Sequence, residues 1–198
     1  MNKLVSIVGV SGVGKTALVQ ELSRTGKFIT AYEQHAERPF QRLFEQEARY
    51  ALPNQVDYFL LRAEQERTLR TAMSRHIGLM DGGLDLDFHG FTRLFHSRGL
   101  LSDPELNLCR RLYEHIRLSQ PLPELIVRLC ADEAIVADRL SARDRINIAS
   151  PDDTALFDSL LDEWLSSLPP EQVLTLDVSQ ETLRYEHSLR IILEQLNE

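Results

Sequence analysis

The sequence has little that suits a secreted or membrane-spanning protein. It contains two cysteines, Cys109 and Cys130, which lie far apart in apolar surroundings. This spacing predicts two buried thiols and not a disulfide or a metal pair. No apolar segment approaches the length of a membrane span, and the N-terminus runs directly into the first predicted strand without a signal peptide. We therefore expect a cytoplasmic protein with no membrane partner.

Positive charge is also scarce. The chain has 22 Lys and Arg residues against 30 Asp and Glu residues, which gives a formal net charge of −8. Such a chain repels polyanions, so we expect no nucleic acid polymer as a partner. An anionic ligand must instead be held by a local cluster of positive groups. The 198 residues, of which 43% are hydrophobic, include no linker-like stretch and no repeat, so we predict a single domain over residues 1–198.

Short apolar runs alternate with helical patterns along the chain. The runs predict strands over 4–8, 28–32, 76–80, 125–129 and 173–176. The helical patterns cover 15–23, 54–74, 104–118, 132–143, 152–168 and 181–196. This alternation is typical of a five-stranded parallel sheet flanked by helices, so the predicted fold class is α/β with three layers.

The most specific motif directly follows the first predicted strand. Residues 9–16 read GVSGVGKT and fit the phosphate-binding loop G-x-x-x-x-G-K-[ST]. Glycines let backbone N–H groups turn toward phosphate oxygens, and the following helix adds the positive end of its dipole. Lys15 would neutralise the outer phosphates of ATP, and the Thr16 hydroxyl would ligate Mg²⁺. The residues predicted to bind the nucleotide are Gly9, Ser11, Gly12, Val13, Gly14, Lys15, Thr16 and Ala17.

Acidic residues end the second and third predicted strands. Ligands of open parallel sheets bind beyond the carboxyl ends of the strands, so these positions are candidates for function. Glu33 is suited to accept a proton from an attacking hydroxyl, and Asp81 is suited to hold Mg²⁺. Asp85 and Asp87, which follow two glycines, are interpreted as a solvated acidic turn.

Three arginines cluster late in the chain. Arg139 and Arg143 share a helix face at i and i+4, and Arg145 follows the predicted helix end. Guanidinium groups that converge on a transferring phosphoryl group stabilise the charge spread over its oxygens. We predict that these residues are catalytic and belong to a lid over about residues 139–151.

The order of these features resembles the deoxynucleoside kinases, which are relatives of thymidylate kinase. The resemblance rests on the phosphate loop, Glu33, the segment 51–62 (ALPNQVDYFLLR), Asp81 and the pattern Arg139-x-x-x-Arg143-x-Arg145. It implies a P-loop kinase fold, ATP and Mg²⁺ as cofactors, a nucleoside or nucleotide acceptor and a possible homodimer. It further implies that Glu33 is the base toward the nucleoside 5′-hydroxyl and that Gln55 reads the nucleobase edge.

The sequence departs from the pattern of that family at three positions. Gly82 stands where the family carries an arginine, Phe44 where it often carries a tyrosine, and Ile148 where it often carries a glutamate. The last two family residues contact the sugar hydroxyl, so their loss predicts weak discrimination at that group or a different acceptor. Phe40 and Phe44 are predicted to line the acceptor site.

Three classes of function remain open on this basis. The first is an ATP-dependent deoxynucleoside kinase. The second is a kinase for a nucleoside monophosphate or another small metabolite, which needs cationic groups for an acceptor phosphate, such as Arg38, Arg42 or Arg62. The third is an ATP-binding protein with weakened catalysis, which the loss of the arginine at Gly82 would explain.

Overall fold

The centre of the structure is a parallel β-sheet. This computed structural model describes residues 3–31, 38–141, 153–182 and 184–197. The strands are β1 Leu4–Val8, β2 Phe28–Ala31, β3 Ile77–Asp81, β4 Leu125–Cys130 and β5 Val173–Asp177. They pair in the order β2-β3-β1-β4-β5, and every pairing is parallel. The predicted five-stranded parallel sheet is confirmed.

β1 occupies the middle of the sheet and is buried along its whole length. Its apolar residues suit a strand that is covered on both faces. The one polar side chain, Ser6, donates a hydrogen bond to the carbonyl oxygen of Gly82. The register pairs Ile7 with Asp81, so the carboxyl end of β3 lies beside the start of the phosphate loop.

Helices cover the sheet. They are α1 Lys15–Arg24, α2 Pro39–Gln46, α3 Ala51–Ala72, α4 Leu84–Leu86, α5 Arg93–Ser97, α6 Asp103–Arg117, α7 Glu133–Ser141, α8 Thr154–Leu165 and α9 Glu186–Asn197. The six predicted helices correspond to α1, α3, α6, α7, α8 and α9, whereas α2, α4 and α5 were not predicted. Among the described helices, none is long and apolar enough to cross a membrane.

The segment after β3 is the least regular helical part of the molecule. A π-helix over Asp87–Thr92 joins α4 to α5. Asp85 and Asp87 are 2% and 4% exposed, so the prediction of a solvated acidic turn is wrong. Each carboxylate is buried because it is paired with an arginine, Asp85 with Arg117 and Asp87 with Arg62.

A buried cluster of charged side chains ties this segment to α3 and α6. Arg117 donates to Asp85 through Nε and Nη2, at 3.0 and 2.6 Å. Its Nη1 reaches both carboxylate oxygens of Glu66, at 3.0 and 3.1 Å. The Tyr113 hydroxyl donates to Asp85 at 2.8 Å. These directional contacts set the position of α3 relative to the segment that follows β3.

The two cysteines differ from each other in burial. Both are free thiols, as expected, but only Cys109 is buried, whereas Cys130 at the end of β4 is partly exposed. Burial raises the pKa of Cys109 to about 11, so this thiol stays protonated at neutral pH. The prediction of two buried thiols is therefore correct for Cys109 and wrong for Cys130.

Candidate active site

The phosphate loop connects β1 to α1 at the carboxyl edge of the sheet. α1 begins at Lys15 directly after Gly14, which has a left-handed backbone with φ 112°. The described chain supplies neither a side-chain cap nor an acidic residue in the first turn of this helix. The Lys15 ammonium donates to the carbonyl oxygens of Gly9 and Val10, at 3.0 and 2.9 Å. The loop therefore gathers positive charge where a phosphate would bind.

Thr16 and Asp81 meet beside this loop. The Thr16 hydroxyl donates to Asp81 Oδ2 at 2.6 Å, and the Asp81 side chain is buried. Asp81 Oδ1 is also buried and has no hydrogen-bond partner within the described ranges. A carboxyl oxygen buried without a partner is costly, so its position fits a cation or a hydrogen-bond donor supplied by a ligand. A hydroxyl and a carboxylate are the kind of oxygen ligands that Mg²⁺ takes.

Gly82 and Gly83 turn the chain sharply after Asp81. Their φ angles are +79° and +129°, which L-residues with side chains rarely adopt. The Gly82 N–H donates to Ile7 O at 2.9 Å, which fixes the turn to β1. A Cβ at position 82 would lie 3.9 Å from Nη2 of Arg62. An arginine does approach this place, but it comes from α3 and not from position 82.

A row of buried polar side chains lies next to this turn. Gln55, Arg62 and Asp87 are 2%, 3% and 4% exposed. Arg62 Nε donates to Asp87 Oδ2 at 3.1 Å, and Thr92 Oγ1 lies 3.2 Å from Gln55 Oε1. Thr92 Oγ1 also lies 2.9 Å from the carbonyl oxygen of Asp87. The row therefore links α3 to the π-helix, and its hydrogen-bond donors and acceptors are buried.

Asn54 precedes Gln55 and is completely buried. Neither its amide nitrogen nor its amide oxygen has a hydrogen-bond partner among the described residues. One turn earlier, Ala51 packs in an apolar cluster with Phe95 and Leu101. A buried amide that finds no partner costs about 1–3 kcal/mol, so the side chain of Asn54 is suited to a ligand that supplies hydrogen bonds.

The helix α2 lies over the first turns of α3. Phe44 packs on Phe95, with ring centroids 5.0 Å apart, and joins the apolar cluster around Ala51. Phe40 is partly buried on the same helix. Arg38, just before α2, donates to Asp57 on α3 through Nε at 2.7 Å and also through Nη2. The contacts of Phe44 and Arg38 therefore hold α2 against α3.

Arg139 contacts the phosphate loop itself. Its Nη1 donates to the carbonyl oxygen of Val13 at 2.7 Å. Of the other residues predicted to be catalytic, Lys15 lies in the loop, whereas Glu33, Arg143 and Arg145 lie outside the described residues. Ile148 and most of the predicted lid, residues 142–151, also lie outside them. The last described residue of β2, Ala31, pairs with Met80, so the chain leaves β2 beside Asp81.

His89 in the π-helix is not available for proton transfer near neutral pH. Its ring stacks on Trp164 at 4.8 Å, with an angle of 3° between the planes. Burial, together with the nearby charges of Arg93 and Arg117, lowers its pKa to about 3. The imidazole is therefore neutral at pH 7, and its role is packing.

Sequence reasoning missed Asn54, Asp87 and Thr92. Their significance depends on their burial. The π-helix and the two glycines at 82 and 83 turn the chain back onto α3 and so produce that burial. One feature of the sequence could have pointed to a buried ion pair, namely that Asp87 and Arg62 carry opposite charges in mostly apolar segments. Nothing in the sequence indicates that they pair.

A phosphate loop at the carboxyl edge of this sheet, next to a buried polar row, defines a P-loop phosphotransferase that acts on a small molecule. A family model for deoxynucleoside kinases matches residues 5–198. The chain belongs to the deoxynucleoside kinase family. It is accordingly a kinase that phosphorylates nucleosides, and ATP is the phosphate donor of this class.

Individual relatives are distant in sequence and close in fold. The chain is 20% identical over 202 aligned positions to the deoxyadenosine/deoxycytidine kinase of Bacillus subtilis (strain 168), which covers 98% of this chain and 92% of that protein. It is similar to deoxyadenosine kinase from M. mycoides with bound dATP, at a TM-score of 0.77 and 15% identity, over 98% of this chain and 100% of that chain. For the M. mycoides deoxyadenosine kinase structure with the products dCMP and a flexible dCDP bound, the TM-score is 0.76 and the sequence identity is 16%, over 98% of each chain.

Proposed function

We propose that this kinase transfers the γ-phosphoryl group of ATP to the 5′-hydroxyl of a deoxynucleoside. The observation that carries the proposal is the short segment 81–87. It begins at Asp81, which contacts the phosphate loop through Thr16, and ends at Asp87 in the buried polar row. A donor site and an acceptor site joined in this way hold the reacting groups at one edge of the sheet.

The residue roles follow from this arrangement. Lys15 and the loop amides bind the triphosphate, and Arg139, Arg143 and Arg145 stabilise the charge on the transferring group. Glu33 accepts the proton of the 5′-hydroxyl, and it follows a strand that ends beside Asp81.

Mg²⁺ would be held by few protein groups. Thr16 Oγ1 and Asp81 supply hard oxygen atoms in direct contact, and the phosphates of ATP supply further ligands. Among the described residues, no group of three or more His, Cys, Asp or Glu side chains could hold a metal ion. Such a site fits Mg²⁺, which usually takes one or two ligands from the protein and others from substrate phosphates. When bound, the ion would neutralise developing charge on the phosphates.

The polar row favours adenine or cytosine as the base. A carboxylate only accepts hydrogen bonds, so Asp87 would attract an exocyclic amino group and repel the carbonyl oxygen of guanine or thymine. Gln55 can pair with the adjacent ring nitrogen because its amide both donates and accepts. The named activities of the B. subtilis and M. mycoides relatives, on deoxyadenosine and deoxycytidine, support this choice.

The geometry gives less support to a nucleoside monophosphate as acceptor. Such a substrate needs cationic groups for its own phosphate. Two of the three arginines considered for that role already have carboxylate partners, Arg38 with Asp57 and Arg62 with Asp87. The third, Arg42, is exposed on α2. A neutralised guanidinium attracts an added phosphate less strongly.

A coupled assay of ADP release tests the proposal directly. With Mg-ATP and a panel of deoxynucleosides, ribonucleosides, nucleoside monophosphates and small hydroxylated metabolites, we expect the highest kcat/KM for deoxyadenosine or deoxycytidine. Deoxyguanosine and thymidine should be at least about tenfold poorer, because their carbonyl oxygens would face the carboxylate of Asp87, which only accepts hydrogen bonds. Faster turnover of a monophosphate would contradict the proposed acceptor. ATP binding without turnover of any acceptor would support a protein with weakened catalysis.

We further propose that the acceptor satisfies the amide of Asn54. Asn54→Leu removes a buried amide that has no partner among the described residues, so the ligand-free protein should gain thermal stability, with Tm higher by about 3 °C. The same change should raise KM for the nucleoside about tenfold through the lost hydrogen bonds. Differential scanning fluorimetry and steady-state kinetics measure the two effects.

The control for this variant is Asn107→Leu, which replaces an exposed asparagine on α6. It should leave both the Tm and the nucleoside KM nearly unchanged. A lower Tm for Asn54→Leu, together with an unchanged KM, would mean that the amide has a structural role and no role in acceptor binding.

A further inference from the structure

Tyr185 has an unusual backbone for a buried aromatic residue. Its φ is +49°, and it is the one non-glycine residue with a positive φ in the described part of the chain. The residue is 1% exposed and immediately precedes α9. Its carbonyl oxygen accepts from Leu189 N at 2.8 Å, so it forms part of the first turn of that helix. Such a conformation costs energy for a bulky side chain and persists where surrounding contacts impose it.

The hydroxyl group of Tyr185 reaches the phosphate loop. A Cβ added to Gly14 would lie 2.1 Å from Tyr185 Oη and 3.2 Å from Cζ. The same point is 3.4 Å from Nη1 of Arg139, the atom that bonds to Val13 O. Tyr185, at the start of α9, and Arg139, on α7, therefore contact the loop at one place. That place is Gly14, the residue directly before Lys15.

We propose that Tyr185 is a positioning residue for the donor triphosphate. Its hydroxyl restricts Gly14 to the left-handed backbone that starts α1 at Lys15, and so it orients the loop amides and the ammonium group toward the phosphates. Tyr185 acts through the loop, and it couples α9 to the donor site. This inference rests on the proposed function only in that the loop binds ATP.

Burial maintains the hydroxyl in its neutral form. Desolvation raises the pKa of Tyr185, while the nearby charge of Arg139 acts in the opposite direction. The contact with Gly14 is therefore made by an uncharged O–H group throughout the neutral pH range. A change of pH between 6 and 8 should leave this contact intact, because the whole range lies about two or more units below the reference pKa of tyrosine.

The substitution Tyr185→Phe tests the proposal, because it keeps the ring in the core and removes only the hydroxyl. The readouts are the Kd of a non-hydrolysable ATP analogue from calorimetry, the separate KM values for ATP and nucleoside, and the Tm. We expect the analogue Kd and the ATP KM to rise about fivefold, as for the loss of one well-placed contact. The nucleoside KM should stay within about twofold, and the Tm within about 2 °C.

Tyr113→Phe is the matched control. It also removes one tyrosine hydroxyl, which here donates to Asp85 in the buried charged cluster with Arg117 and Glu66. This variant should lower the Tm by about 4 °C and leave the Kd of the ATP analogue unchanged. The pair of variants therefore separates loss of a buried hydroxyl in general from loss of the contact with Gly14.

Two outcomes would overturn the proposal. An analogue Kd within about 1.5-fold of wild type in Tyr185→Phe would show that the hydroxyl only fills space. A parallel rise of both KM values with a Tm loss like that of Tyr113→Phe would show general destabilisation. Failure of the wild-type protein to bind the analogue is a distinct result, since it would reject the donor site as well as this role.

Discussion

Replacing Lys15 by methionine should lower kcat by about 10³, and it should raise the KM for ATP. Without a triphosphate, the ammonium group bonds to the loop carbonyl oxygens of Gly9 and Val10. It therefore stays within the loop where the outer phosphates bind. The positive charge is worth most in the transition state, when charge spreads over the phosphoryl oxygens. Methionine retains the length and the apolar part of the side chain, so the loop should still fold.

Steady-state kinetics with Mg-ATP measures this effect, and circular dichroism verifies the fold. Lys27→Met is the control, because Lys27 is exposed in the turn between α1 and β2 and carries the same charge. Its kinetics should match those of the wild type. If Lys15→Met retained activity within about threefold of the wild type, the loop would not be the site of phosphoryl transfer.

Replacing Glu33 by glutamine should lower kcat by about 10² to 10⁴, the usual contribution of a general base. The amide has nearly the same shape as the carboxylate but cannot accept a proton. KM values should change little, because the hydroxyl is still bound.

The control here is Glu47→Gln, which neutralises a glutamate whose side chain is 52% exposed beside Arg49. Its kcat and KM values should be those of the wild type. A near-wild-type kcat in Glu33→Gln would reject the assignment of the base.

Much of the donor side could be predicted from the sequence, because it depends on local backbone chemistry. The motif at residues 9–16 requires glycines at turns and a lysine at a helix start, and these requirements act over a few neighbouring residues. The five strands could also be predicted from the sequence, since strands buried on both faces appear as continuous apolar runs. The pairing of Thr16 with Asp81 then follows from the register of β1 and β3.

The buried polar row, which we propose as the acceptor site, was harder to predict, because its residues come together only through contacts between distant segments. Asp87 looked like part of a solvated turn, and only the chain reversal at Gly82 and Gly83 brings it to Arg62. A π-helix has no sequence pattern comparable to the phosphate loop, so the approach of Thr92 to Gln55 could not be foreseen.

The sequence by itself determined the sheet, the phosphate loop and the resemblance to the deoxynucleoside kinases, since each depends on residues that are close along the chain. The tertiary structure alone decided which polar groups are buried together. It paired Arg62 with Asp87, left Asn54 without a partner in the described chain and brought Tyr185 against Gly14. The physical reason is that burial and long-range pairing set the energy of a polar group, whereas sequence order sets only its identity.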